Sequence, residues 1–288
     1  MSDNAKSAAA AALLAWYRDM GVDDLVGEAP VDWLSRGETA PGHAFRLPGA
    51  APPAAPVRAA PRPVAAQTAV PRPASSPAAR QFPTAPPDAA LTTARTAAGR
   101  VNTLDELQAT LAAFDGCGLK ATAKNLCFFR GAAQARLMLI GEAPGRDEDL
   151  QGKPFVGPAG QLLDKMLAAI GLAERDVHIT NIVYWRPPGN RTPTPQEAQV
   201  CRPFLERQVE LVAPDLVLLL GGAAANHIFN VTEGIMRVRG KWREAAFGAR
   251  TVRAIATLHP AYLLRTPAAK RLAWRDLLAV KSALDQVR

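Results

Sequence analysis

The chain's richest collection of reactive side chains surrounds Gly141-Glu142-Ala143-Pro144-Gly145, with Asp147, Glu148 and Phe155 close behind. Glycine lacks a Cβ and lets backbone approach a ligand closely. Acidic groups and an aromatic gathered at a strand end fit a ligand site better than a plain turn. Most Gly/Pro loops only redirect the chain; the acidic and aromatic residues set this one apart. Three further loops carry polar groups. Thr180-Asn181 offers an amide with a donor pair and an acceptor, matching a base edge that has one of each; the alternative is an Asn that holds its own loop. Gly221-Gly222 opens a helix and can offer backbone amides to an anion. Leu258-His259-Pro260-Ala261-Tyr262-Leu263-Leu264-Arg265 carries one imidazole. A lone histidine is more often structural than catalytic, but a place on the same rim as Glu142 and Asn181 favours chemistry.

These loops share a rim if the elements before them are strands of one parallel sheet. Apolar runs at 136–140, 177–183, 215–220 and 251–257 read as four buried strands. Helical patterns at 159–170, 195–213, 222–229 and 268–285 separate or follow them. Strands alternating with helices predict a three-layer α/β/α domain around a mostly parallel four-stranded sheet, with ligands bound beyond the strands' carboxyl ends. Thr103 and Glu106 form a capping box for a helix carrying Leu104, Leu107, Leu111 and Phe114. Between the third and fourth strands, Arg237-Val238-Arg239-Gly240-Lys241-Trp242-Arg243 reads as a hairpin or exposed ribbon. Its four cations suit a phosphate backbone; an ordinary basic edge is the alternative.

The first hundred residues have another texture. Residues 7–20, with Leu13, Leu14, Trp16 and Tyr17, predict a short helix within an N-terminal segment, 1–40; a protein partner is its expected binding surface, with docking on the main domain as the alternative. Residues 41–100 read as a disordered Pro/Ala-rich linker with Asp88 as its only acidic residue. Residues 101–288 are the expected catalytic domain. The chain has 288 residues and a net charge of +8, which favours a polyanionic partner such as nucleic acid. Three cysteines argue for a reducing compartment rather than a disulfide framework. Neither a membrane-spanning run nor a signal peptide is expected. The reading is a monomer in the cytoplasm, associated with the nucleoid.

The set GEAPG…ED…GKPFVGPAG, TNIV, RPPGNR and HPAYLLR strongly resembles the family 4-type uracil-DNA glycosylases over roughly residues 110 to 285. Each motif alone is weak; four in order at matching spacing are specific. The resemblance implies an enzyme that removes uracil from single- or double-stranded DNA and leaves an abasic site, in base excision repair. It implies that Gly141, Glu142 and Ala143 line the uracil pocket, Phe155 stacks on the flipped base and Asn181 reads its edge. His259 would hydrogen-bond the uracil carbonyl oxygen, with Asn190 supporting the network around it. Glu142 and Glu148 are the candidates for orienting water, and Arg239, Lys241 and Arg265 for contacting DNA. Family 1-type enzymes place an Asp where Ala143 stands, so that base is missing. Family 4-type enzymes hold an iron–sulfur cluster on four cysteines. Here Cys117 and Cys201 match two positions, Phe114 and Trp185 occupy the others, and Cys127 matches none, so no cluster and no other cofactor is expected. Two alternatives compete. One is a DNA-damage binder that keeps the pocket without turnover; the related covalent branch uses a histidine in the loop that is Pro187–Pro193 here, which has none. The other is a small-molecule hydrolase or nucleotide-binding enzyme, whose P-loop or G-x-G-x-x-G signature is absent.

Overall fold

Apolar five-residue runs flanked by helical patterns can be buried only when both faces of the sheet are covered, and that is how the chain folds. The computed structural model describes residues 87–286. In chain order these form α1 (Pro87–Gly99), α2 (Leu104–Ala113), β1 (Arg130–Gly131), β2 (Leu137–Gly141), α3 (Arg146–Gln151), α4 (Pro158–Ala169), β3 (Val177–Asn181), α5 (Pro195–Val212), β4 (Leu216–Leu220), α6 (Gly222–Phe229), α7 (Ile235–Val238), β5 (Trp242–Phe247), β6 (Arg250–Thr257), α8 (Pro260–Arg265) and α9 (Lys270–Gln286).

The sheet has six strands in the order β1-β3-β2-β4-β6-β5. The four expected strands are its parallel core. β1 and β5 add antiparallel edges that the four-stranded reading omitted. β1 is two residues long, too short to leave a periodic pattern. Side chains alternate across the sheet. Leu137, Leu139, Leu216, Leu218 and Ile255 pack with Leu163 and Leu167 of α4 and Leu277 and Val280 of α9. Met138, Ile140, Val217, Leu219, Ala254 and Ala256 face the other way, toward α1, α2, α5 and α6. The result is the expected three-layer α/β/α arrangement.

Two readings need correction. The linker assigned to 41–100 ends sooner, because Pro87–Gly99 is a helix. Pro87 sits in its first turn, and Ala90, Ala94 and Ala98 repeat every four residues and are buried in the core that α5 also joins. Alanine was grouped with proline as linker composition, yet it is the strongest helix former, and its small side chain permits close helix packing. The hairpin read at 237–243 is instead the short helix α7 followed by β5, which pairs with β6 along its whole length. The capping box of Thr103 and Glu106 forms as read. The helix expected at 7–20 and residues 41–86 of the linker lie outside the described residues. Among those described, no helix is long and apolar enough to cross a membrane.

Candidate active site

From β2 the chain crosses through α4 to β3 on one side; from β3 it returns through α5 to β4 on the other. This reversal opens a crevice at the strand ends, the usual ligand position in such sheets. A cavity of about 460 Å³ lies there, with Glu142, Glu148, Phe155, Asn190, His259 and Arg265 among its walls. Its size falls within the range of small-molecule sites. Of the residues singled out in the sequence, Glu142, Ala143, Glu148, Phe155, Asn190, His259 and Arg265 line it.

Asn181 ends β3 directly opposite Gly141, the last residue of β2. It is 1% exposed, and neither its amide nitrogen nor its amide oxygen has a hydrogen-bond partner. An unpaired buried polar group costs about 1–3 kcal/mol, so a pair of them marks a place kept for a ligand. Asn181 and Gly141 pack behind the Phe155 ring rather than on the cavity wall itself. A Cβ on Gly141 would stand 2.4 Å from Asn181 Oδ1 and 2.4 Å from Phe155 Cζ, so any larger residue would displace one of these side chains. Phe155 has φ +56°, a conformation that L-residues rarely adopt. Gly160 accommodates it, since a Cβ there would fall 1.6 Å from the Phe155 carbonyl oxygen. Sequence reasoning missed Gly160. Its signal was a glycine in the opening turn of α4, where alanine would suit the helix better.

His259 caps α8. Its Nδ1 accepts the Ala261 N–H at 3.1 Å. Burial, with the Arg265 charge as a second cause, lowers its pKa from the ordinary 6.5 to about 4. The imidazole is therefore neutral near pH 7, and with Nδ1 already accepting, its proton resides on Nε2 as a donor. The Phe155 and His259 rings lie 5.7 Å apart at 31°. Gly221, at φ +94°, closes in from β4; a Cβ would come within 2.9 Å of His259 Cβ.

Other expected residues stand differently. Both Glu148 oxygens are engaged: Oε2 accepts the Gly145 N–H at 3.1 Å and Oε1 the Gly157 N–H at 2.9 Å. It clamps two loops together and is poorly placed to orient water. Glu142 makes no side-chain hydrogen bond among the described residues and faces the cavity. Asn190 lines the cavity but does not reach His259; its Oδ1 accepts from Arg186 Nε at 2.7 Å. Arg239 is no free DNA contact. Its guanidinium is largely buried, donating to Asp276 Oδ2 at 3.0 Å and to the Leu272 carbonyl at 2.6 Å. Lys241 is exposed away from the cavity walls, whereas Arg265 is exposed and lines them. Arg191, also unforeseen, is held on the wall by both Glu197 oxygens, at 2.8 and 2.6 Å.

The cysteines sit apart from this chemistry. Cys117 and Cys201 are buried with their sulfurs 3.9 Å apart, in the core cluster that holds Phe114, Tyr184, Trp185 and Phe204. Phe114 packs on Phe204 at 5.0 Å. Cys127 donates to the Glu148 carbonyl at 3.1 Å, and burial pushes its thiol up to about 12. Among the described residues, no group of three or more His, Cys, Asp or Glu is placed to hold a metal ion.

The family model described as "Uracil DNA glycosylase superfamily" matches residues 128–278, just over half of the chain. A protein of Archaeoglobus fulgidus named "Type-4 uracil-DNA glycosylase" is 43% identical over 171 residues, covering 58% of this chain and 86% of that protein. A protein of the same name from Thermotoga maritima is 38% identical over 173 residues, covering 59% and 88%. A "DNA polymerase" of Bacillus phage SP01 is 30% identical over 157 residues, only 16% of its own length.

Proposed function

The chain belongs to the uracil DNA glycosylase superfamily, and from that premise we propose how its cavity works. The enzyme hydrolyses the N-glycosidic bond of uracil in DNA and leaves an abasic site. A base must leave the stack to react, and the cavity is the receptacle for the flipped nucleotide. The Phe155 ring moves off Asn181 and caps the face of the base. The Asn181 amide then donates to one uracil carbonyl and accepts from the ring N–H. As the bond breaks, negative charge grows on the other carbonyl oxygen, where His259 Nε2–H donates. A preorganised donor at the atom where charge develops is commonly the largest catalytic contribution. Glu142 faces the sugar side, favours the oxocarbenium-like sugar and positions the attacking water. Glu148 fixes the loops that carry Glu142, and Arg265 meets a flanking phosphate.

The observation that carries this reading is the buried Asn181 amide with both polar atoms unpaired, behind the Phe155 ring whose centre lies 5.7 Å from that of the His259 imidazole. Incubation with a uracil-containing oligonucleotide, followed by alkaline cleavage of abasic sites, tests it. Wild type should cut at the uracil position only; an intact strand would refute the reading.

The resemblance to family 4-type enzymes implies an iron–sulfur cluster, but the donor set does not fit one. A cubane centre normally takes four thiolates, and Phe114 and Trp185 have none to give. We read the site as filled by aromatic side chains and the enzyme as free of cofactor. The helix read within residues 1–40 is assigned to a protein partner, and the enzyme to a nucleoid-associated monomer of the cytoplasm. Metal analysis, size-exclusion chromatography and co-purification check these assignments in turn.

A further inference from the structure

We propose that Cys117 and Cys201 form an oxidisable dithiol pair, a modification site where a small hydroperoxide closes a disulfide between the loop after α2 and helix α5. The inference rests on the cluster-free reading of these positions. The two sulfurs are 3.9 Å apart, and the Cys201 thiol donates to the Cys117 sulfur. A disulfide needs about 2.05 Å, so each sulfur must move by roughly 1 Å, within reach of side-chain rotation.

The two cysteines differ in ways that suit successive steps. Cys117 stands at the start of the short 3-10 helix Gly118–Ala121 without a side-chain capping hydrogen bond, and the Cys201 thiol donates to its sulfur. Cys117 is thus the accepting sulfur of the pair, the one to attack peroxide. Both are buried, Cys117 at 3% exposure and Cys201 at 0%, which makes Cys117 the sulfur nearer to solvent. The Cys117 thiolate attacks one peroxide oxygen and breaks the O–O bond. That gives a sulfenic acid and hydroxide, which takes a proton to become water. The Cys201 sulfur then attacks the sulfenic sulfur; the S–O bond breaks and a second water leaves with the Cys201 proton. The sulfur pair loses two electrons and the peroxide gains them. Cys127 stays outside this exchange, its thiol held on the Glu148 carbonyl. The bond would join residues 84 apart in sequence. It would also brace α5, which carries Glu197, the partner of Arg191 on the cavity wall.

The test uses the full chain purified anaerobically, with iron assayed first. The expected result is no iron and three thiols titrating in denaturant. After peroxide treatment one thiol should remain, the mass should fall by two hydrogens, and digestion should yield a peptide pair joining Cys117 to Cys201 that dithiothreitol separates. Cys127→Ser should still crosslink, and Cys201→Ser should not. In iron-free protein, three persisting thiols, a Cys117 sulfinic acid without a link, or a link through Cys127 would overturn the proposal while leaving the cluster-free reading intact. About four irons per chain would instead show both cysteines to be ligands and defeat the two together.

Discussion

In the proposed mechanism Asn181 and His259 divide the work between recognition and charge stabilisation, and each can be tested alone. Cytosine presents an amino group where uracil has a carbonyl, so it would confront the Asn181 amide donors with another donor. Asn181→Ala should slow uracil removal, and Asn181→Asp should lower it further while introducing weak cytosine removal. Single-turnover rates on matched uracil and cytosine oligonucleotides read both effects; an Asn181→Ala enzyme as fast as wild type would dismiss base reading by this residue. His259→Ala should cost about two to three powers of ten in single-turnover rate, the size typical of one lost oxyanion donor. DNA affinity should barely change, because phosphate contacts supply most of it. Comparing rate with binding under the same salt conditions separates the two. The place of His259 on the rim was legible in the sequence, and the donor role proposed for it came from the family resemblance. Its neutral state and its Nε2 proton were not, because both depend on the Ala261 amide and on burial.

At the scale of elements, β3, β1 and α5 are tied by a buried network. His178 on β3 is fully buried; Nδ1–H donates to the Ala132 carbonyl at 2.7 Å, and Nε2 accepts from Gln208 of α5 at 2.9 Å. Gln208 accepts in turn from the Tyr184 hydroxyl at 2.9 Å. A second proton on His178 would sit on Nε2, facing the Gln208 amide donor, with no acceptor. Burial lowers the His178 pKa from 6.5 to about 4. The unfolded chain therefore binds a proton between those values that the folded one refuses. The associated stability is fully present above pH 6.5 and is lost as pH falls toward 4, by about 3 kcal/mol from this residue. Denaturant midpoints measured across that window should fall accordingly, and His178→Gln should flatten the decline. The helix α1 supports a second prediction. A chain starting at Val101 lacks Ala90, Ala94 and Ala98 and bares the apolar face of α5. It should melt well below a chain starting near Ala85, which should fold and excise uracil; equal melting curves would show α1 to be dispensable.

Across the whole molecule, the net charge of +8 predicts DNA binding that weakens steeply with salt. The aromatic filling of Phe114 and Trp185 predicts colourless protein whose uracil excision survives iron chelators. Loss of activity on chelation, or a broad brown absorbance, would contradict it. The sequence by itself determined the parallel core, its two covered faces and the rim where Glu142, Asn181 and His259 meet. Those features follow from local periodicity and from the rule that strand ends in an open sheet share one edge. Tertiary structure alone decided how individual side chains are used. Arg239 looked like a free cation until Asp276, distant in sequence, paired with it, and Glu148 looked like a water-orienting carboxylate until two loop amides occupied its oxygens. The alanines of α1 looked like linker until α5 gave them a surface to pack on. Charge, polarity and size are properties of a residue, but the partner that spends them is brought near only by long-range packing, which no local pattern records.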